Sequence, residues 1–313
     1  MIVVPIDLGN PQVSPWDPPP RPPPAPETAR ALVAAALRDA RRPGPPVVSY
    51  VHGGLPGDAL LDALAPHPFW LCTHPAALDR RAASALVARG LVQVELAIWS
   101  VDRRVAAPLG RGPALDALPA QLAGLRAMGL RCGLWLMCGL PGSSHASALA
   151  EARRLTTEPA LRPDFLRISA APALVGSQLA AAVAVGDWAP MRIGEAVTTL
   201  AAWMDAFEGA GIAIHRVGFI PGHDVPAHAV AGPAHSDLRG LCEVRRFRRR
   251  VLTALHGASP GSDVVLAVHP ADHGWALGPS RSTVRAARAA AGVRSVAISL
   301  DPGLPRGSVV RRA

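Results

Sequence analysis

The sequence predicts a parallel α/β fold: a partial barrel of six strand–helix units, followed by a smaller α/β extension. Two observations carry this. Short runs rich in Val, Ile and Leu alternate in order with longer segments of helical periodicity. The helical segments stop at glycine or Pro-Gly, as at Pro43-Gly44, Gly90 and Gly129.

Each element follows from its own residues. Residues 2–8 read as a first strand, and 15–26 as an extended proline-rich loop. A helix over 27–42 places Leu32, Ala36 and Ala40 on one stripe. A second strand, 47–51, runs directly into His52-Gly53-Gly54. Next come a helix at 57–64, a strand at 69–73, a helix at 78–89 and a strand at 92–98. Leu115, Leu118, Leu122 and Leu125 fall near helical spacing on the following helix. Strands at 132–137 and 165–169 flank a helix at 146–155. The extension then holds helices at 193–208, 241–255 and 282–291, strands at 212–217, 264–268 and 295–299, and a loop rich in Gly, Pro and His at 221–235. The expected division is 1–190 for the barrel and 191–313 for the extension.

A chain of 313 residues can bury a large core. Half its residues are hydrophobic and only 4% aromatic, so Ala, Leu and Val must fill most of the interior. No apolar stretch reaches the roughly 18 residues of a membrane span. The N-terminus lacks a basic segment followed by an apolar run, so no secretory signal is read and a cytoplasmic location is expected. Cys72, Cys132, Cys138 and Cys242 show no C-x-x-C spacing and read as small buried hydrophobes. The net charge of +9 is carried entirely by arginine, with no lysine. That bias, with 33 prolines, reads as coding background. Only Arg245, Arg246, Arg248, Arg249 and Arg250 form a dense cluster, either a solvated helix face or an RNA contact.

Several motifs recur in a recognisable order. The chain opens Val4-Pro5-Ile6-Asp7-Leu8-Gly9-Asn10-Pro11-Gln12-Val13-Ser14-Pro15-Trp16-Asp17. Val94-Glu95-Leu96-Ala97-Ile98-Trp99-Ser100 is followed by Arg111-Gly112, then by Met137-Cys138-Gly139-Leu140-Pro141-Gly142 and Arg162-Pro163-Asp164-Phe165-Leu166-Arg167-Ile168. Gly186-Asp187-Trp188-Ala189-Pro190 and His269-Pro270-Ala271-Asp272 come later. Together these resemble the radical S-adenosylmethionine (SAM) enzymes, in the branch related to the catalytic subunit of Elongator. The resemblance covers nearly the whole chain and implies a TIM-like radical-SAM partial barrel. It implies a residual SAM pocket formed by Gly53, Gly54, Glu95, Ser100, Arg111, Gly139, Leu140, Pro141 and Arg167. In it, the glycine turn after the second strand meets the SAM amino group, and Arg111 faces its carboxylate.

Three departures cut against the family chemistry. The opening in that family reads roughly P-I-F-I-P-H-x-G-C-P-H-x-C-x-F-C, whereas this chain has Asn10, Ser14 and Asp17 at the three cysteine positions. Iron–sulfur clusters need thiolate ligands, so a four-iron four-sulfur cluster is expected to be absent. The family glutamine is Trp99, whose indole is larger and lacks the amide's two-sided hydrogen bonding. Pointed into the barrel mouth, Trp99 would occlude the nucleoside space. Finally, Thr73-His74-Pro75-Ala76 stands where the family has T-R-P-D.

Other chemistry is poorly served. One carboxylate among Asn10, Ser14 and Asp17 makes a weak site for a hard cation. His215, His223, Asp224, His228 and His235 match no zinc spacing, and without lysine no P-loop is possible. No catalytic residue and no metal site is therefore assigned. The leading expectation is a pseudoenzyme, a binding or regulatory module that pairs with an active radical-SAM relative or another protein. The alternatives are a SAM- or nucleoside-binding enzyme of non-radical chemistry, with Glu95, Asp164 and Arg167 in polar roles, or a tRNA-binding relic. No membrane partner is expected.

Overall fold

A computed structural model describes residues 2–7, 25–39, 47–219 and 225–312. The chain divides into two compact units, 1–236 and 237–313. The first unit runs β1 (Ile2–Asp7), α1 (Pro26–Asp39), β2 (Val47–Gly53), α2 (Asp58–Leu64), β3 (Phe69–Thr73), α3 (Arg80–Val87), β4 (Leu91–Trp99), α4 (Arg103–Ala106), α5 (Gly112–Ala127), β5 (Arg131–Cys138), α6 (His145–Thr157), β6 (Phe165–Ala170), β7 (Ala173–Leu174), α7 (Gln178–Ala184), α8 (Ile193–Gly209), β8 (Ala213–Val217), α9 (Val225–His228) and β9 (Ala229–Ala231).

Seven of these strands form one sheet in the order β1-β2-β3-β4-β5-β6-β8, every pair parallel. Each strand lies beside its sequence neighbour up to β6, the pattern of a singly wound partial barrel built from βαβ crossovers. The expected boundary at residue 190 does not coincide with the division between units. Helix α8 packs on α6, and β8 pairs with β6, so both belong to the barrel unit. The sequence offers no local sign of this pairing, which joins segments about 45 residues apart.

Alternation along the strands gives the sheet two faces. Val94, Leu96 and Ile98 of β4, Cys132, Leu134 and Leu136 of β5, and Leu166 and Ile168 of β6 are all buried. The intervening positions carry polar and aromatic side chains that meet one another across the other face: Trp70 and Cys72, Gln93 and Glu95, Trp135, Phe165 and Arg167. Gly133 has a specific reason here. A Cβ at that position would sit 2.2 Å from the Phe165 ring, so only glycine lets the ring lie across the neighbouring strand. His215 of β8 stacks on that ring at 4.2 Å between centroids, and on Trp70 at 5.6 Å. All four cysteines are buried and unbridged.

The second unit runs α10 (Leu238–Ala254), β10 (Asp263–Val268), α11 (His273–Leu277), α12 (Ser282–Ala291), β11 (Ser295–Leu300) and β12 (Val309–Arg311). Its sheet has the order β11-β10-β12, with β11 parallel and β12 antiparallel to the centre. Helices α10 and α12 pack against each other and share one core with the sheet: Val251 and Leu255, Val284 and Ala287, Val264, Leu266 and Val296. Asp237 caps α10 by accepting from the Gly240 N–H at 2.8 Å, which starts the helix three residues before the sequence expectation. Among the described residues, no helix is long and apolar enough to cross a membrane.

Candidate functional site

In a parallel barrel, ligands approach the C-terminal ends of the strands, so the residues there define the candidate site. Strand β4 ends on Trp99 with φ +66°, a left-handed conformation that is unusual for a bulky residue and costs of order 1–2 kcal/mol. Its pairing with β5 is irregular between Leu96 and Trp99. That kink turns the indole against Arg111, whose guanidinium carbon lies 3.2 Å from the ring centroid. Arg111 is 1% exposed, and its Nε and Nη1 donate to the backbone carbonyls of Ala97 (3.2 Å) and Leu109 (3.4 Å). Trp99 itself is 5% exposed and meets Trp135 edge-on at 6.4 Å. A desolvated stack of this kind is worth about 2 kcal/mol, enough to offset the backbone strain. The Trp99 indole N–H is buried and without a hydrogen-bond acceptor among the described residues.

One layer deeper, a second arginine is held differently. Arg167 of β6 pairs with Glu95 of β4 at 2.8 Å, and Tyr50 of β2 donates its hydroxyl to the same carboxylate oxygen at 2.9 Å. Its guanidinium lies 3.6 Å above the Trp135 ring, and Nη2 also reaches the Cys72 sulfur at 3.2 Å. Nε and Nη1 of Arg167 are buried without an acceptor among the described residues. Burial pushes the Tyr50 phenol well above its usual range, with Arg167 opposing. Burial and then Glu95 push the Cys72 thiol far up, so it is no nucleophile. Trp135 is anchored in turn by its indole N–H, which donates to Ser169 at 2.9 Å.

The remaining expected residues serve the backbone. Ser100 donates its hydroxyl to Glu151 of α6, which also accepts the N–H groups of Val101 (2.7 Å) and Asp102 (3.0 Å). Burial raises the Glu151 pKa, and these hydrogen bonds oppose the rise. Glu151 was not singled out from sequence, although it shares one helix stripe with Ala148, Ala152 and Leu155. Gly53 adopts φ +99°, and its carbonyl accepts the Thr73 hydroxyl at 2.8 Å; Gly54 follows it. Gly139 has φ +78°, and Met191 covers it so closely that a Cβ would come within 3.1 Å. Leu140 is buried, and Pro141 half-buried beside it. Around them Trp99, Leu109, Met137 and Leu179 form an apolar cluster, with Trp135 and Trp188 packed against it. Asp164 takes a similar backbone role, accepting the Cys132 N–H at 2.7 Å.

Asn10, Ser14 and Asp17 lie outside the described residues, as do His223 and Asp224. His215 is sandwiched between rings and stands apart from a metal role, its pKa lowered chiefly by burial and then by Arg131. Among the described residues, no group of three His, Cys, Asp or Glu is placed to hold a metal. His74 has become a cap: its Nδ1 accepts the Ala76 N–H at 3.1 Å, and His269 does the same for Ala271 in the second unit. In the arginine cluster of α10, Arg246 departs from the surface reading. It is buried against Glu243 at 3.1 Å, while Arg245, Arg248 and Arg249 are exposed and Arg250 is half-buried near the Phe247 ring.

No family model matches the sequence, and no curated protein matches it. Solved structures do. The Elp3 of the archaeon Methanocaldococcus infernus, truncated at its N-terminus, aligns over 79% of this chain and 63% of its own length, with 18% identity and a TM-score of 0.63. Coproporphyrinogen III oxidase (HemN) from Escherichia coli, a radical SAM enzyme, aligns over 67% of this chain and 53% of its own, with 16% identity and a TM-score of 0.48. SuiB from Streptococcus suis aligns over 70% and 49%, with 12% identity and a TM-score of 0.48. The chain thus shares its partial-barrel fold with that Elp3 structure and spans less than two thirds of its length.

Proposed function

We propose that this chain is a radical-SAM scaffold that works without radical chemistry, as a binding or regulatory module. One observation carries the reading: Trp99 stacks on Arg111 at 3.2 Å. The guanidinium that the resemblance assigns to the SAM carboxylate is already covered by an indole and bonded to two backbone carbonyls. A carboxylate entering there must compete with those two backbone bonds for the in-plane donors and fit beside the indole that lies on the guanidinium face. Met191 over Gly139 works in the same direction, because backbone near the resembled adenine position is covered.

The donor set of the opening loop supports the same reading. Asn10, Ser14 and Asp17 offer an amide, a hydroxyl and a carboxylate, and soft iron–sulfur chemistry needs thiolates. The remaining four cysteines are buried in the two units, so they do not stand in. The residues present do not fit the cluster, and no step is derived through it.

A second reading rests on the inner polar cluster. Glu95, Arg167 and Tyr50 form a buried hydrogen-bonded set with two unspent arginine donors, the kind of arrangement a non-radical nucleoside site would use. The two readings separate in the tests. For the first, anaerobic reconstitution with iron and sulfide is expected to give no charge-transfer absorption and no stoichiometric iron. A cluster near one per chain would defeat it.

A further inference from the structure

A strand at a sheet edge offers unpaired N–H and C=O groups to any second strand, and soluble proteins guard such edges with charge, proline or brevity. Most edges of the two larger sheets are guarded in this way. Strand β1 carries Pro5 and Asp7, β8 carries Arg216, and β12 is only three residues long and ends on Arg311. Strand β11 is the exception. Its six residues, Ser295-Val296-Ala297-Ile298-Ser299-Leu300, include no charge, proline or glycine, and among the described residues they pair with β10 alone.

Backbone and side chains agree on what fits that edge. The Asp301 N–H, one residue past the strand, donates to the Val268 carbonyl of β10 at 2.9 Å. Alternation then turns the backbone groups of Ser299 and Ala297 toward β10, and those of Leu300, Ile298 and Val296 toward the free edge. These last three residues are also the apolar row. Val296 is buried, Ile298 packs partly against the core, and Leu300 is 53% exposed. Read in reverse, the row is again three large aliphatic side chains centred on isoleucine. An antiparallel copy centred on Ile298 sets Val296 against Leu300 and Ile298 against itself, and so covers the exposed leucine. Ala297 then meets Ser299 on the other face. Centring on Ala297 would instead set Leu300 against Arg294, so the apolar pattern selects the first register. The strand ends fit as well. Arg294 precedes the strand and Asp301 follows it, so antiparallel pairing brings opposite charges together and parallel pairing like ones. Within the chain Arg294 already pairs with Asp263 and Asp301 with Arg312, so neither end opposes approach.

We infer that β11 is a dimer interface: it pairs antiparallel with β11 of a second copy about a two-fold axis between their Ile298 residues. The two three-stranded sheets then join into one. The partner is a second copy because the strand matches its own reverse in side-chain size, in charge and in the direction of its backbone groups. The inference stands on the second unit alone and is independent of what the barrel binds.

Sedimentation equilibrium of the full chain across micromolar concentrations tests it, with twice the chain mass expected and dissociation on dilution. Leu300→Lys sets a charge against the partner's Val296 at two symmetric positions, and is expected to weaken dimerisation roughly tenfold or more. Leu300→Val is expected to keep the dimer, which separates charge from folding. Opposite residues without mutual hydrogen bonds lie about 4.5 Å apart between Cα atoms, within the span of a disulfide. The double variant Ala297→Cys with Ser299→Cys is therefore expected to cross-link between copies on mild oxidation. The four native cysteines, all buried, are not. A chain that stays monomeric would leave this edge to a different protein and overturn the inference. So would a dimer indifferent to Leu300→Lys, or one that Ala297→Cys alone cross-links as readily, since that marks the other register.

Discussion

Among the described residues of the barrel unit, two arginines lie buried, and each is stacked on a tryptophan. Arg167 sits on Trp135 and pairs with Glu95, whereas Arg111 sits on Trp99 and donates to the backbone carbonyls of Ala97 and Leu109. The inner arginine is thus part of a neutralised internal network that holds β2, β3, β4 and β6 together. The outer one is a cation in the place where the resemblance puts an anionic ligand. On the proposed reading, the Trp99 side chain stands in for that ligand's bulk.

The contrast is broken most forcefully at the inner pair. Glu95→Leu strands a buried guanidinium and is expected to cost about 3–5 kcal/mol in urea unfolding. The double change Glu95→Leu with Arg167→Met should recover most of that loss, because the uncompensated charge goes with its partner. If the double variant is as unstable as the single, the network is not a matched pair.

Trp99 gives the next largest effect and a sharper one. Truncation to Ala removes the stack and leaves a cavity, costing about 3 kcal/mol. Glycine relaxes at φ +66°, so Trp99→Gly should be more stable than Trp99→Ala by roughly 1 kcal/mol, the reverse of the usual order. The usual order in chemical unfolding would mean that the left-handed backbone is not kept in solution.

Glu151 tests the loop that follows Trp99. Its folded pKa is raised by burial, so its contribution to stability is complete below the ordinary glutamate range and declines as pH rises through the folded value. The stability difference between the native chain and Glu151→Gln should therefore move against the native chain as pH increases from about 4 to 8. A difference that grows in favour of the native chain would show that hydrogen bonds to the carboxylate outweigh its desolvation. The smallest effect is expected at Asp263, which Arg294 and Ser295 hold down at about 2. Its titration midpoint by NMR should rise in Arg294→Gln, with stability at neutral pH almost unchanged.

Much of the barrel was legible in the sequence because its outward-facing strand residues form dense aliphatic runs, as in β4 and β5. Gly53 and Gly139 were legible as glycines at the ends of predicted strands, and in the structure both adopt positive φ. What escaped was non-local. The pairing of β8 with β6 moved the unit boundary from 190 to 236, and short α7 and β12 carry too little periodicity to read. The bulk of Trp99 at a strand end is legible in the sequence, but its left-handed backbone and its seat on Arg111 depend on a register irregularity that no local pattern encodes. Glu151 carried a signal, a carboxylate on an apolar helix stripe. Likewise Arg246 follows Glu243 by three residues between buried Cys242 and Phe247, which marks it as an inward partner.

The central claim is that Trp99 on Arg111 closes the position a SAM carboxylate would take. Calorimetric titration with SAM, of the native chain and of Trp99→Gln, tests it most directly. The account predicts no binding heat for the native chain at millimolar SAM and measurable binding for the variant. Saturable binding by the native chain, unchanged in Trp99→Gln, would contradict it and would favour the non-radical site at Glu95 and Arg167.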